Sequence, residues 1–223
     1  MVLGATRMGM LPAVDPYIPT ISTQPTNVYI PDSFTASSWN DHLGNNNSSS
    51  VQGTPALQST SGNAATKIDE EIQFSTSAGF QFSNMVVGNS STYTFFGISR
   101  YRSGTNGRIF NGQGQNWLLG HWNGSEGVAY YGGWLSSTNQ NYGQDWVLCV
   151  SQPSYAAFYS DGNTRTLTGG AASGSPYLTI NHNTQSNEPS HCAVYGMWYY
   201  DSTLSASDRD EVVTFLKDLT GIS

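Results

Sequence analysis

From about residue 27 to residue 200 the chain runs in short apolar stretches, broken by Gly, Asn, Ser and Asp. Most of these stretches are rich in aromatic and β-branched side chains, which suit a pleated, half-buried surface and predict strands. The pattern marks 26–30, 71–74, 93–101, 116–122, 127–131, 145–150, 156–159, 177–180 and 192–199. Asp161-Gly162, directly after an aromatic run, signals a tight hairpin because Gly accepts the positive φ of a primed turn. So many strands without intervening helices predict an all-β chain of two packed antiparallel sheets.

One helix is predicted, at the end of the chain. Ser205 offers an N-cap, Asp208, Asp210 and Glu211 suit the positive end of the helix dipole, and Gly221 supplies the stop. Val212, Phe215, Leu216 and Leu219 recur at helical spacing and are expected to face the core, against Trp198 or Met197. Residues 1–26 differ from the rest. They carry four prolines, no sustained periodicity and three of the five Met residues. Proline fixes φ and removes donors, so 1–26 is read as an extended arm and 27–223 as the sandwich domain. Met1, Leu3, Met8, Met10 and Leu11 are apolar enough that burial in a neighbouring subunit is the expected use of the arm. A frayed terminus is the alternative.

Composition narrows the partners. The 223 residues carry 15 acidic and 8 basic side chains, a net charge of -7, so no basic stripe is available for a phosphate backbone. Only 10% of residues are charged, while 13% are aromatic, which excludes a coiled coil and wholesale disorder. No apolar run approaches the roughly 18 residues of a membrane span. Residues 1–12 lack the continuous apolar stretch of a secretory signal, which predicts assembly in a host cytoplasm, with an extracellular location as the alternative. Cys149 and Cys192 lie in apolar runs and read as buried free thiols, with a disulfide as the alternative.

Several stretches resemble concanavalin A-like lectin/glucanase domains of the laminin-G-like kind. The resemblance rests on the final run 193–205, where an aromatic strand leads to Leu204-Ser205 and a short helix closing on Thr220-Gly221-Ile222. It is supported by Trp39-Asn40-Asp41-His42-Leu43-Gly44-Asn45, in which Leu43 replaces the usual Ser, and by the hairpin Phe158-Tyr159-Ser160-Asp161-Gly162. It implies a jelly-roll sandwich, and often glycan or Ca²⁺ binding. Domains of this kind also occur on phage and virus particles.

Candidate chemistry follows from residue types. Lectin sites set an aromatic platform against the apolar C–H face of a sugar and add polar hydrogen-bonders. In the Gly- and aromatic-rich segment 116–134, Trp122, Tyr131 and Trp134 beside Gly-rich turns are the expected platform, with Asn123 as a polar partner. Trp117 is read as core. Asp41, Asn45, Asp161 and Asn163 lie in turns whose oxygens could gather around Ca²⁺, although turn formation alone explains all four. Catalysis is disfavoured. Asp69-Glu70-Glu71 is the sole acidic cluster, and it reads as a solvated loop rather than a carboxylate pair. The leading expectation is a non-catalytic structural or display protein on a virion surface. It would be anchored through the arm to neighbouring subunits, homo-oligomeric, and able to hold glycans. A soluble carbohydrate-binding module comes second, and a glycan-active hydrolase or lyase third.

Overall fold

The computed structural model describes residues 14–48, 50–60, 66–171, 174–182 and 188–223. In chain order the strands begin with β1 (Asn27–Tyr29), β2 (Phe34–Thr35), β3 (Ser38–Trp39), β4 (Ser50–Gln52), β5 (Ala56–Ser59), β6 (Glu70–Phe74), β7 (Gly79–Val86) and β8 (Thr94–Tyr101). They continue with β9 (Phe110–Gln113), β10 (Trp117–Trp122), β11 (Ser125–Tyr131), β12 (Trp134–Ser136), β13 (Val147–Gln152), β14 (Tyr155–Ser160), β15 (Asn163–Thr168), β16 (Tyr177–Ile180) and β17 (Cys192–Tyr200). Helix α1 (Ala206–Thr220) closes the chain. One sheet runs β15-β14-β13-β8-β17-β6-β5, with β1 also paired to β17, and the other runs β12-β11-β10-β9-β16-β7-β4. Every pairing is antiparallel, and the two sheets form the expected sandwich. Among the described residues no helix is long and apolar enough to cross a membrane.

Between the sheets lies an aromatic core that includes Phe80, Phe82, Phe95, Phe110, Trp117 and Leu119. A second core covers the outer face of the β8–β17 sheet, where Ile98, Leu148 and Trp198 meet Val212, Val213 and Leu216 of α1. Strand β17 therefore has no exposed face, which is why its sequence reads as one continuous apolar run. Cys192 and Val194 point to the inner core, Ala193 and Tyr195 to the outer one. A bulge between Val194 and Gly196 then shifts the alternation, so that Met197 and Tyr199 point in while Trp198 and Tyr200 point out. Gly196 is required there: a Cβ would sit 2.9 Å from the Tyr29 carbonyl oxygen and 3.0 Å from the Trp198 ring.

Two expectations are corrected. Glu71 is no solvated loop residue; it is 1% exposed on β6. Arg100 reaches it across the small Ala193, donating from Nε (3.0 Å) and Nη2 (2.6 Å) to Oε2, while Gln73 Nε2 donates to Oε1 (2.7 Å). The carboxylate is thus consumed by a structural ion pair. On α1 the buried stripe is Val212, Val213, Leu216 and Thr220, and Phe215 is only half-buried. The arm is described only from residue 14. Residues 14–26 lie against this chain's own sandwich: Trp198 Nε1 donates to the Tyr17 carbonyl (2.8 Å), Thr26 N donates to the Tyr199 carbonyl (2.8 Å), and Tyr17, Ile18 and Ile21 pack on the outer core. Met1, Leu3, Met8, Met10 and Leu11 lie outside the described residues. Cys149 and Cys192 are free and buried, and burial pushes both thiols up.

Candidate functional site

The helix and the N-terminal segment cover one outer face of the sandwich. Across the outward face of the other sheet, the strand register sets Gln81, Thr179, Asn111, Leu118, Tyr130 and Trp134 side by side on six strands. Their sequence neighbours Phe80, Leu178, Phe110, Trp117, Tyr131 and Leu135 point inward or pack against the inner core, so alternation turns this row outward. The row is polar at one end and aromatic at the other; Thr179, Asn111 and Leu118 in its middle are buried, so only its ends, Gln81 and the Tyr130–Trp134 pair, reach solvent.

At the aromatic end, three rings from three strands meet. Trp122 and Trp134 have centroids 4.8 Å apart at 59°, and Tyr130 meets Trp134 edge-on at 5.2 Å. Trp134 is 41% exposed, while Trp122 and Tyr130 are half-buried. Such contacts hold the rings in place before a ligand arrives. Polar groups complete the patch. Trp122 Nε1 donates to Glu188 Oε1 (3.3 Å), Arg108 Nε donates to Glu188 Oε2 (2.6 Å), and Arg108 Nη1 donates to Asn116 Oδ1 (2.6 Å). The platform therefore carries a fixed carboxylate beside a cluster of mutually inclined rings, of which the Trp134 indole is the exposed one.

The structure brings together some of the predicted residues and separates others. Trp122 and Trp134 form the platform. Asn123 is exposed in the β10–β11 turn beside it, with φ 47 followed by Gly124 at φ 79, so it also serves the hairpin. Tyr131 does not belong: it is fully buried, stacked on Trp117 at 5.7 Å and 12°, with its hydroxyl on Ser151 Oγ and the Tyr155 carbonyl. Its neighbour Tyr130 takes the outward position, because adjacent residues of a strand face opposite ways. Glu188, Arg108 and Asn116 carry no local signal and are joined only by the fold.

The turn residues read as metal ligands are occupied differently. Asp41 is 5% exposed, and its Oδ1 accepts from Val28 N (2.8 Å) and Leu43 N (3.2 Å). Its Oδ2 accepts from Asn27 Nδ2 (2.9 Å), Asn45 N (3.1 Å) and Asn46 N (3.2 Å). Five donors on one carboxylate build the 41–46 turn and leave no oxygen for Ca²⁺, while the Asn45 side chain donates to the Thr26 carbonyl (2.9 Å). Asp161 and Asn163 sit at the exposed β14–β15 hairpin, where Asn163 Nδ2 donates to the Asp161 carbonyl (3.2 Å) and Gly162 holds φ 73. Among the described residues no group of three His, Cys, Asp or Glu side chains is arranged to hold a metal ion.

No protein-family model matches the chain, and no curated protein matches it. Solved structures do. Domain 4 of a GH43 extracellular arabinanase from Geobacillus stearothermophilus, in complex with arabinotriose, superposes with a TM-score of 0.53 at 14% identity, over 86% of this chain and 97% of that one. A Trypanosoma rangeli sialidase in complex with 2,3-difluorosialic acid gives 0.52 at 10% identity, over 87% of this chain and 33% of the sialidase. The chain thus spans about a third of the sialidase it matches. At these identities the likeness is one of fold.

Proposed function

We propose that the chain is a non-catalytic glycan-binding β-sandwich module, with its site on the outward face of β10, β11 and β12. The observation that carries this reading is the three-ring platform of Trp122, Tyr130 and Trp134 fixed beside the Glu188 carboxylate. An exposed indole offers a π-face to the C–H face of a sugar ring. The fold likeness to an arabinanase domain in complex with arabinotriose supports it. Binding without turnover is part of the proposal. A retaining hydrolase needs two carboxylates about 5–5.5 Å apart. Here the carboxylate bonded into the platform, Glu188, is paired with Arg108, and Glu71 is held by Arg100. Attachment to a particle would rest on the arm 1–26, whose Met1, Leu3, Met8, Met10 and Leu11 lie outside the described residues.

The test is a glycan array followed by calorimetry with wild type and Trp134→Ala. Trp134 is partly exposed at the edge strand, so the variant should melt within a few degrees of wild type while losing roughly tenfold or more in affinity. Undiminished binding by a folded Trp134→Ala protein would move the site elsewhere.

A further inference from the structure

We infer that the site, on the reading just proposed, is elongated: it takes a linear saccharide chain laid across the strands, with Tyr177 as a second contact at the far end from Trp134. Among the described residues the exposed aromatic side chains are Trp134, at 41%, and Tyr177, at 43%. Both stand on the same face. Their neighbours Leu135 and Leu178 pack against the inner core, so alternation turns Trp134 and Tyr177 outward. A strip of residues joins them. Tyr177 on β16 lies opposite Gln113 on β9, and the Leu118–Asn111 register, continued by two residues, sets Asn116 on the other side of Gln113. Gly132 N then donates to the Asn116 carbonyl (3.3 Å), which brings the strip to the β11–β12 turn, two residues from Trp134. Four strand steps separate Tyr177 from Trp134, about 19 Å at about 4.8 Å per step.

This strip runs beside the Gln81–Trp134 row, nearer the strand ends, and its middle is open where the middle of that row is buried. Gln113 and Asn116 are both partly exposed, and Gly132 and Gly133 add no side chain between Asn116 and Trp134. A carboxamide both donates and accepts, as a sugar hydroxyl does, so the two amides match the hydroxyl edge of a chain whose ring faces meet the aromatics. A single sugar reaches one ring only. A chain that spans both makes the second contact intramolecular, and a chain too short to span gains nothing from it. An extended sugar residue is about as long as one strand spacing of about 4.8 Å, so roughly five residues bridge the two rings. The ligand class is thus a linear oligo- or polysaccharide, held along its length rather than at its tip.

Chain length is the variable that tests this. Linear gluco- and arabino-oligosaccharides of one to six residues, with the homologous series of any sugar found on the array, are titrated into wild type, Tyr177→Ala, Tyr177→Phe and Trp134→Ala, and melting curves confirm that each variant is folded. Wild-type affinity should rise roughly tenfold or more between two and about five residues and then level off, a gain beyond the few-fold expected from extra binding registers alone. Tyr177→Ala should abolish that rise and leave mono- and disaccharide affinity unchanged, whereas Tyr177→Phe, which keeps the ring, should keep it. Trp134→Ala should weaken binding at every length. Wild-type affinity that is flat from the disaccharide upward, or a rise that survives in folded Tyr177→Ala, overturns the elongated site while leaving the platform standing. Wild type that binds no member of any series, or a folded Trp134→Ala that loses nothing, overturns the platform itself and the elongated site with it.

Discussion

His121 is wholly buried near the end of β10, with Nδ1 3.5 Å from Ser99 Oγ and its ring edge-on to Tyr101 at 4.7 Å. Its Nε2 has no hydrogen-bond partner among the described residues. Burial disfavours the imidazolium and pushes the imidazole down to about 3, from an ordinary 6.5. The unfolded chain therefore takes up a proton that the folded chain refuses as pH falls from about 6.5 to about 3. Stability falls by up to about 1.4 kcal/mol per pH unit in that window from this group alone. Its cross-strand neighbour Glu126 works in the opposite sense. Burial raises its carboxyl above 4.5, although Gly143 N donates to it at 3.0 Å, so its contribution is lost as pH rises past 4.5. Urea denaturation of wild type and His121→Gln across pH 4 to 7 isolates the histidine. The variant should lose less stability toward acid, and parallel pH profiles would mean that the imidazole is hydrated in the folded state. At this scale the sequence reveals types better than directions. Trp122 and Trp134 flank Gly-rich turns and can be picked out, but whether Tyr130 or Tyr131 faces out depends on strand parity. That parity is set by pairing and by the bulge at Gly120/His121, not by local residues. Glu188 stands 66 residues from the indole it orients, and no spacing announces it.

The closing helix shows how one element divides between legible and hidden features. Ser205 caps it, accepting from Asp208 N at 3.1 Å, and Gly221 ends it at φ 74, both as its sequence implies. The face it buries is rotated from the one expected. Val212, Val213 and Leu216 enter the outer core beside Trp198, while Phe215 and Leu219 flank it. A stripe wide enough to include Phe215 and Leu219 leaves the exact facing open until the sheet surface is known. Leu216→Ala should therefore cost about 2–5 kcal/mol in urea denaturation, and Asp210→Ala at most about 1 kcal/mol. Equal small losses would make the helix a detachable tail. Among strands, β17 announces itself because both its faces are buried. β9 (Phe-Asn-Gly-Gln) and β15 (Asn-Thr-Arg-Thr-Leu-Thr) do not, since Gly and polar residues hide them. β15 exists because its register with β14 is closed by the Asp161-Gly162 turn. β9 exists because β10 and β16 pair with it on either side.

For the molecule as a whole, the two outer faces have different fates. One is covered by α1 and by Tyr17, Ile18 and Ile21 of the N-terminal segment. The other carries a row that grades from amide and hydroxyl groups to aromatic rings, ending at an exposed indole. A shared fold does not assign a function by itself; the proposed site rests on the exposed Trp134 and the half-buried Trp122 and Tyr130 beside it. The six Trp residues make the claim directly measurable, because each has one indole N–H and they occupy separate environments. Trp39, Trp117 and Trp198 are buried in the two cores, Trp146 lies beneath Arg100 near the helix end, and Trp122 and Trp134 form the platform. The decisive measurement is a two-dimensional ¹⁵N–¹H titration of the assigned indole signals with a neutral oligosaccharide selected on the array. The Trp122 and Trp134 signals should move together and saturably, while those of Trp39, Trp117 and Trp198 stay still. Saturable binding that shifts Trp146 and leaves Trp122 and Trp134 unmoved would contradict the assignment of the site.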